Sequence, residues 1–139
     1  MRSIKSVYLG FTLVELLVVL SIIGLLGSIV VPSYSKIQTQ SKESALVQLG
    51  TTLQVALESY ALREGVYPTE SLFGSELVDV LQSSGDLSQS PVNPFTSEPL
   101  SITDTSGLME YVFDSTENGY ELSIYGFQNI SILRVLSNN

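Results

Sequence analysis

From Phe11 to Val31 the chain runs for 21 residues with a single charge, Glu15. A helix of that length is about 31 Å long at 1.5 Å per residue, close to the roughly 30 Å of a bilayer's hydrocarbon core. A solitary soluble domain has no use for such a stretch. The lone acid is also costly there, at about 2.5–3.5 kcal/mol for a carboxylate at mid-span, so its place near the start of the run asks for a reason. In the first helical turns the helix dipole favours a negative charge.

Ahead of the run, Met1 to Gly10 is short and basic, with Arg2 and Lys5 and no apolar core of its own. A secretory signal places its small-residue cleavage site after the apolar region. Here the small residue, Gly10, comes before it. Cleavage after Gly10 would leave the apolar segment at the new N-terminus. The alternative is an uncut single-span anchor with Arg2 and Lys5 held in the cytoplasm. Both put the rest of the chain outside the cytoplasm.

At 139 residues the chain has room for one small domain. Its net charge is −8, and without Arg2 and Lys5 it holds four basic and fourteen acidic residues, a net of −10. Such a surface repels phosphate, and no Lys or Arg cluster is visible, so direct nucleic-acid binding is not expected unless Lys36, Lys42 or Arg134 converge. The absence of Cys removes disulfides and thiolate metal sites, and the absence of His removes the commonest general base and metal ligand. The acids Glu70, Glu76, Asp79 and Asp86 are scattered, with no carboxylate pair or Ser–Lys arrangement at a recognisable spacing. The expected chain is not an enzyme and takes no cofactor or metal.

Gly10-Phe11-Thr12-Leu13-Val14-Glu15-Leu16-Leu17-Val18-Val19 resembles the prepilin-peptidase recognition segment of type IV pilins and type II secretion pseudopilins. Glycine, aromatic, glutamate and an uninterrupted apolar run coincide in register, and Gly24 and Pro32 fall where members of that family interrupt the helix. The specific resemblance covers Gly10 to Pro32. It implies a leader, 1–10, cut by a prepilin peptidase between Gly10 and Phe11, with methylation of the Phe11 amine by the same enzyme. It implies an apolar transmembrane and assembly helix, 11–32, and an amphipathic helix plus globular head, 33–139. The subunit would sit in bacterial inner-membrane lipid, single-pass with its head outside. An inner-membrane assembly platform would then polymerise it into a helical filament.

Glu15 fits a filament on physical grounds as well. A free α-amine has a reference pKa of about 7.7–8.0, so the Phe11 amine released by cleavage is largely charged at neutral pH and can pair with Glu15 of a neighbour. A snorkelling acid without a partner is the alternative. Gly24, Gly27 and Ser28, three and four residues apart, allow close approach of helices. Pro32 cannot donate the helical hydrogen bond, which predicts a kink or loosening between Gly24 and Pro32.

Beyond Ser33, Leu46, Leu49, Leu53, Ala56, Leu57 and Tyr60 recur at three- and four-residue steps, an amphipathic continuation to Glu64 with Gly50 as its weak point. Gly65 and Pro68 stop it. Ser75–Ser83 reads as a short helix, and the stretch holding Pro91, Pro94 and Pro99 as a solvated loop. Strands are expected at Leu108–Ser115, Tyr120–Gly126 and Ile130–Leu136, with a hairpin turn at Asn118-Gly119. The helix face with Leu53, Leu57 and Tyr60 covers the sheet, giving an α+β, pilin-like fold.

Two departures from the family pattern bear on function. Major pseudopilins of type II secretion hold calcium in a loop near the C-terminus through clustered Asp, whereas Gly126–Ser131 has no acid here. Many pilins close that region with a disulfide, which this chain cannot form. The function expected is a structural subunit of a type IV pilus or a type II secretion-like pseudopilus. The alternatives are a minor or tip subunit whose head binds a secreted substrate or serves DNA uptake, and an uncut membrane-anchored domain.

Overall fold

The computed structural model of the chain describes residues 10–138, without the side chains of Val30, Val31 and Pro32. Most of the expected leader therefore lies outside the described residues. Helix α1 spans Leu13–Glu64, 52 residues, and Gly65 ends it in a left-handed conformation (φ 79°) with its N–H donated to the Ala61 carbonyl at 2.8 Å. The loosening expected between Gly24 and Pro32 does not interrupt α1. Proline deletes one intrahelical hydrogen bond, and that loss is not enough to break a helix that continues to Glu64.

The chain divides into two units, Met1–Ile37 and Gln38–Asn139. In the first, every residue from Gly10 to Ile29 is exposed, so among the described residues nothing covers this apolar surface. It is long and apolar enough to cross a membrane.

In the second unit, the amphipathic half of α1 packs on an antiparallel sheet. Helix α2 (Gly74–Ser83) follows the two-residue strand β1 (Leu72–Phe73). Strands β2 (Met109–Asp114), β3 (Gly119–Tyr125) and β4 (Ile132–Ser137) complete a sheet of order β1-β2-β3-β4. The β2–β3 register pairs Tyr111 with Leu122 and Asp114 with Gly119, so the hairpin expected around Asn118-Gly119 forms with its turn ending at Asn118, which is left-handed (φ 48°), and with Gly119 already in β3. The α+β fold read from the sequence is the fold found. It gains β1, which two residues could not announce.

Alternation along β2 and β3 turns Met109, Tyr111, Tyr120, Leu122 and Ile124 onto α1, where Leu46, Leu53, Ala56 and Leu57 are buried with them. Each fully buried leucine contributes about 1.5–3 kcal/mol, which outweighs the roughly 1 kcal/mol that Gly50 costs as a helical residue. Gly50 is more than a weak point. A Cβ there would stand 2.2 Å from Ile124 Cδ1, so its lack of a side chain lets β3 lie directly on the helix backbone.

The proline-rich stretch departs from the solvated loop expected of it. Asn93 is fully buried, with Nδ2 donating to Asp104 Oδ2 (2.9 Å) and the Ser106 carbonyl (2.8 Å) and Oδ1 accepting from Phe95 N–H (2.9 Å). Leu100 is buried as well. The acid-free segment 126–131 is tied to this loop: Gln128 N–H donates to Ser106 Oγ, and Asn129 Nδ2 to the Asp104 carbonyl.

Candidate processing and assembly site

Thr12 is the residue from which α1 starts. Its carbonyl accepts the Leu16 N–H (3.2 Å), which makes it the N-cap and Glu15 the third helical residue. Glu15 N–H donates to Thr12 Oγ1 at 3.2 Å, and the Thr12 N–H donates back to Glu15 Oε2 at 3.2 Å. The Thr12 hydroxyl adds a bond to the same Oε2 at 3.0 Å. This is a reciprocal capping box, in which two otherwise orphaned backbone donors are satisfied by two side chains. Glu15 Oε1 makes no hydrogen bond among the described residues, which leaves it able to accept from a further donor.

The other polar groups of the apolar run are satisfied in the same local way. Ser21 Oγ donates to the Leu17 carbonyl (2.8 Å) and Ser28 Oγ to the Leu25 carbonyl (2.7 Å). All four polar side chains between Phe11 and Val31 are therefore bonded within the helix, as a segment that leaves water requires.

Gly10 is exposed ahead of the helix, and a Cβ on it would meet nothing within 4 Å. Among the described residues nothing asks for glycine at that position. The same is true of Gly24 and Gly27. Pro32 lies within α1, with its side chain outside the described residues. Gly10, Phe11 and Glu15 thus cluster at one helix start, while Gly24 and Pro32 lie along the same helix. Sequence reasoning that treated Glu15 as a solitary acid missed Thr12, although Thr12-Leu13-Val14-Glu15 has the capping-box spacing.

Several scattered acids of the second unit have structural partners. Glu76 accepts the Phe73 N–H at the start of α2 (3.0 Å). Asp86 accepts from Ser84 Oγ (2.7 Å), Ser59 Oγ (2.8 Å) and Arg63 Nη2 (2.6 Å), joining the end of α1 to the end of α2. Those hydroxyls, Ser84 foremost, together with the Arg63 charge, hold its carboxyl below the usual aspartate range. Half-buried Glu58 accepts from Tyr67 (2.7 Å) and Tyr120 (3.2 Å), and burial first, then this carboxylate, raises both phenols above their ordinary pKa. An open groove of about 570 Å³ between Gln40–Val47 and Leu133 holds Glu43 as its one ionisable residue, which is not a general acid–base pair. Lys42 stands over the Phe95 ring (5.7 Å) and Arg134 belongs to β4. Among the described residues no three Asp or Glu side chains converge on a metal position.

Residues 6–31 match the prokaryotic N-terminal methylation motif. The chain is 34% identical over 86 residues to the type IV major fimbrial protein FimA of Dichelobacter nodosus, covering 62% of this chain and 53% of FimA. It is 35% identical over 68 residues to the fimbrial protein EcpC of Eikenella corrodens (49% and 44% of the two chains). Against the type IV major pilin protein PilE of Neisseria gonorrhoeae it is 31% identical over 62 residues (45% and 37%). The match thus spans about half or less of these curated relatives. No solved structure matches the chain. The relatives are fimbrial and pilin proteins. Residues 6–31 thus carry the prokaryotic N-terminal methylation motif, and the chain is similar over part of its length to type IV fimbrial and pilin proteins.

Proposed function

We propose that the chain is the structural subunit of a type IV pilus, cut between Gly10 and Phe11 by a prepilin peptidase and N-methylated on Phe11. Before assembly the apolar helix holds it in the cytoplasmic membrane, with residues 33–139 outside. An assembly platform in that membrane then moves the helix from lipid into a bundle of neighbouring helices. The observation that carries this reading is the uncovered apolar surface from Phe11 to Ile29, whose polar groups are bonded within the helix. That surface is suited to two dry environments in turn and to none in water. The names of the relatives favour a pilus over a secretion pseudopilus.

In the filament the Phe11 amine of one subunit meets Glu15 of its neighbour, using the Oε1 that Thr12 leaves unengaged. The pairing cancels two charges that a dry helical core would otherwise reject. Gly24 and Gly27, each open to space in the single subunit, let neighbouring helices approach. Mass spectrometry of the protein from sheared cell-surface fibres tests the processing step. N-methylated Phe11 at the N-terminus is expected, and Gly10→Val should leave unprocessed precursor in the membrane. Mature protein of normal mass from Gly10→Val would count against it.

A further inference from the structure

The sheet of the second unit has two differently built edges. β1, at one edge, is two residues long, whereas β4, at the other, runs for six. A very short strand blunts an edge, while a longer apolar one presents a row of backbone donors and acceptors to any chain that reaches it. β4 contains no proline and no acid, and Ile132 and Val135 are exposed on it. Phe127 and Ile130, just before it, are exposed too, Ile130 at 81%.

The second observation is the placement of charge. All fourteen acids of the chain lie at or before Glu121, and the 18 residues after it hold none. That segment carries one charge, Arg134, which makes no ion pair among the described residues. The whole chain is at −8. Copies of so acidic a protein repel wherever acid faces acid. Contact is favoured where an acid-free, singly basic apolar surface meets the acidic surface of the next copy.

We propose that the edge formed by Phe127, Ile130, Ile132, Arg134 and Val135 is a contact surface between successive subunits, occupied by a second copy of this chain. The inference rests on the filament reading and names where its heads touch. In an open polymer each copy contributes two different surfaces, so the β4 edge meets a separate, acid-bearing part of its neighbour. Exposed apolar side chains leave water there, and Arg134 gains a carboxylate.

The cysteine-free sequence allows a direct test. Single cysteines are placed by Ile130→Cys, Val135→Cys and, as a control, Glu70→Cys. Each is labelled with a water-soluble maleimide in membrane-held subunits and in sheared filaments. Labelling at the first two positions should fall about tenfold or more in filaments, as at the water-excluded centre of an interface, while Glu70→Cys stays reactive. Equal labelling in the two states overturns the proposal, and so does an equal fall at all three positions. Hydrogen exchange of the unsubstituted protein is the second measurement. Backbone amides of 130–137 should exchange more slowly in filaments than in subunits, and unchanged rates overturn the proposal. Complete absence of filaments from the unsubstituted chain would refute the filament reading itself.

Discussion

Thr12 and Glu15 satisfy each other at the start of α1, the hydroxyl taking the Glu15 N–H at 3.2 Å and the carboxylate taking the Thr12 N–H at 3.2 Å. The acid that looks out of place in an apolar helix is thereby a structural part of it. One oxygen fixes the helix start and the other makes no hydrogen bond among the described residues. The capping box holds the carboxylate in one orientation, the one in which the proposed assembly would use it.

Thr12→Val keeps the shape of the side chain and removes the hydroxyl. Loss of an N-cap side chain costs about 1 kcal/mol. The expected result is normal cleavage at Gly10–Phe11 and a several-fold drop in sheared filament, smaller than the drop caused by losing Glu15. Quantitative blots of sheared and cell-bound fractions measure it. Unchanged filament yield would show that the capping box has no part in assembly.

Gly50→Val puts a branched side chain where Ile124 Cδ1 already lies 2.2 Å from the position of a Cβ. Overpacking of this kind costs about 1–3 kcal/mol. Urea unfolding should show that loss, and adding Ile124→Val, which removes the offending Cδ1, should restore part of it. Additive effects of the two changes would mean the contact is not the cause.

Asn93→Leu leaves the partners of a fully buried amide without it, including the Ser106 carbonyl and the Phe95 N–H. A buried polar group left unsatisfied costs about 1–3 kcal/mol. The variant should unfold at lower urea, with the 91–107 and 126–131 segments opening first by hydrogen exchange. Uniform exchange across the second unit would argue that the Asn93 bonds are not what ties those segments together.

The long helix and the hairpin were legible in the sequence because their causes are local. Phe11–Val31 states its length and polarity, the steps from Leu46 to Tyr60 state their face, and Asn118-Gly119 states a turn. Thr12 is legible by the same rule, since it stands three residues before Glu15, the spacing of a capping box. β1 was not legible, since Leu72 and Phe73 become a strand only by pairing with Tyr111 and Glu110 nearly forty residues away. Asn93 reads as a surface residue among prolines. It is buried because Gly107 (φ 78°), fourteen positions on, brings its backbone so close that a Cβ would lie 2.9 Å from Asn93 Oδ1. Gly50 likewise shows its purpose only once Ile124 is placed against it.

Acid should weaken the second unit. The carboxyls of Asp86 and Asp114 are held below the ordinary aspartate range, by Ser84 and by Thr116 first in each case. A carboxyl depressed in the folded state contributes stability that is fully present above the unfolded pKa of about 3.9 and is lost as pH falls through the folded value. Melting temperature should therefore fall below about pH 4, and fall less in Asp86→Asn and Asp114→Asn than in the parent chain. Identical acid limbs for all three proteins would rule out these two groups as the source.

The most direct measurement is filament yield from cells carrying Glu15→Val. A helix bundle that uses the Glu15 carboxylate against a neighbour's Phe11 amine loses that pairing and retains an unmatched buried amine. Breaking such a pair typically costs about 3–5 kcal/mol, enough to reduce assembly by more than a hundredfold. The prediction is mature, membrane-inserted subunit with Phe11 at its N-terminus and almost no sheared filament. Wild-type filament yield from Glu15→Val cells would contradict the pairing.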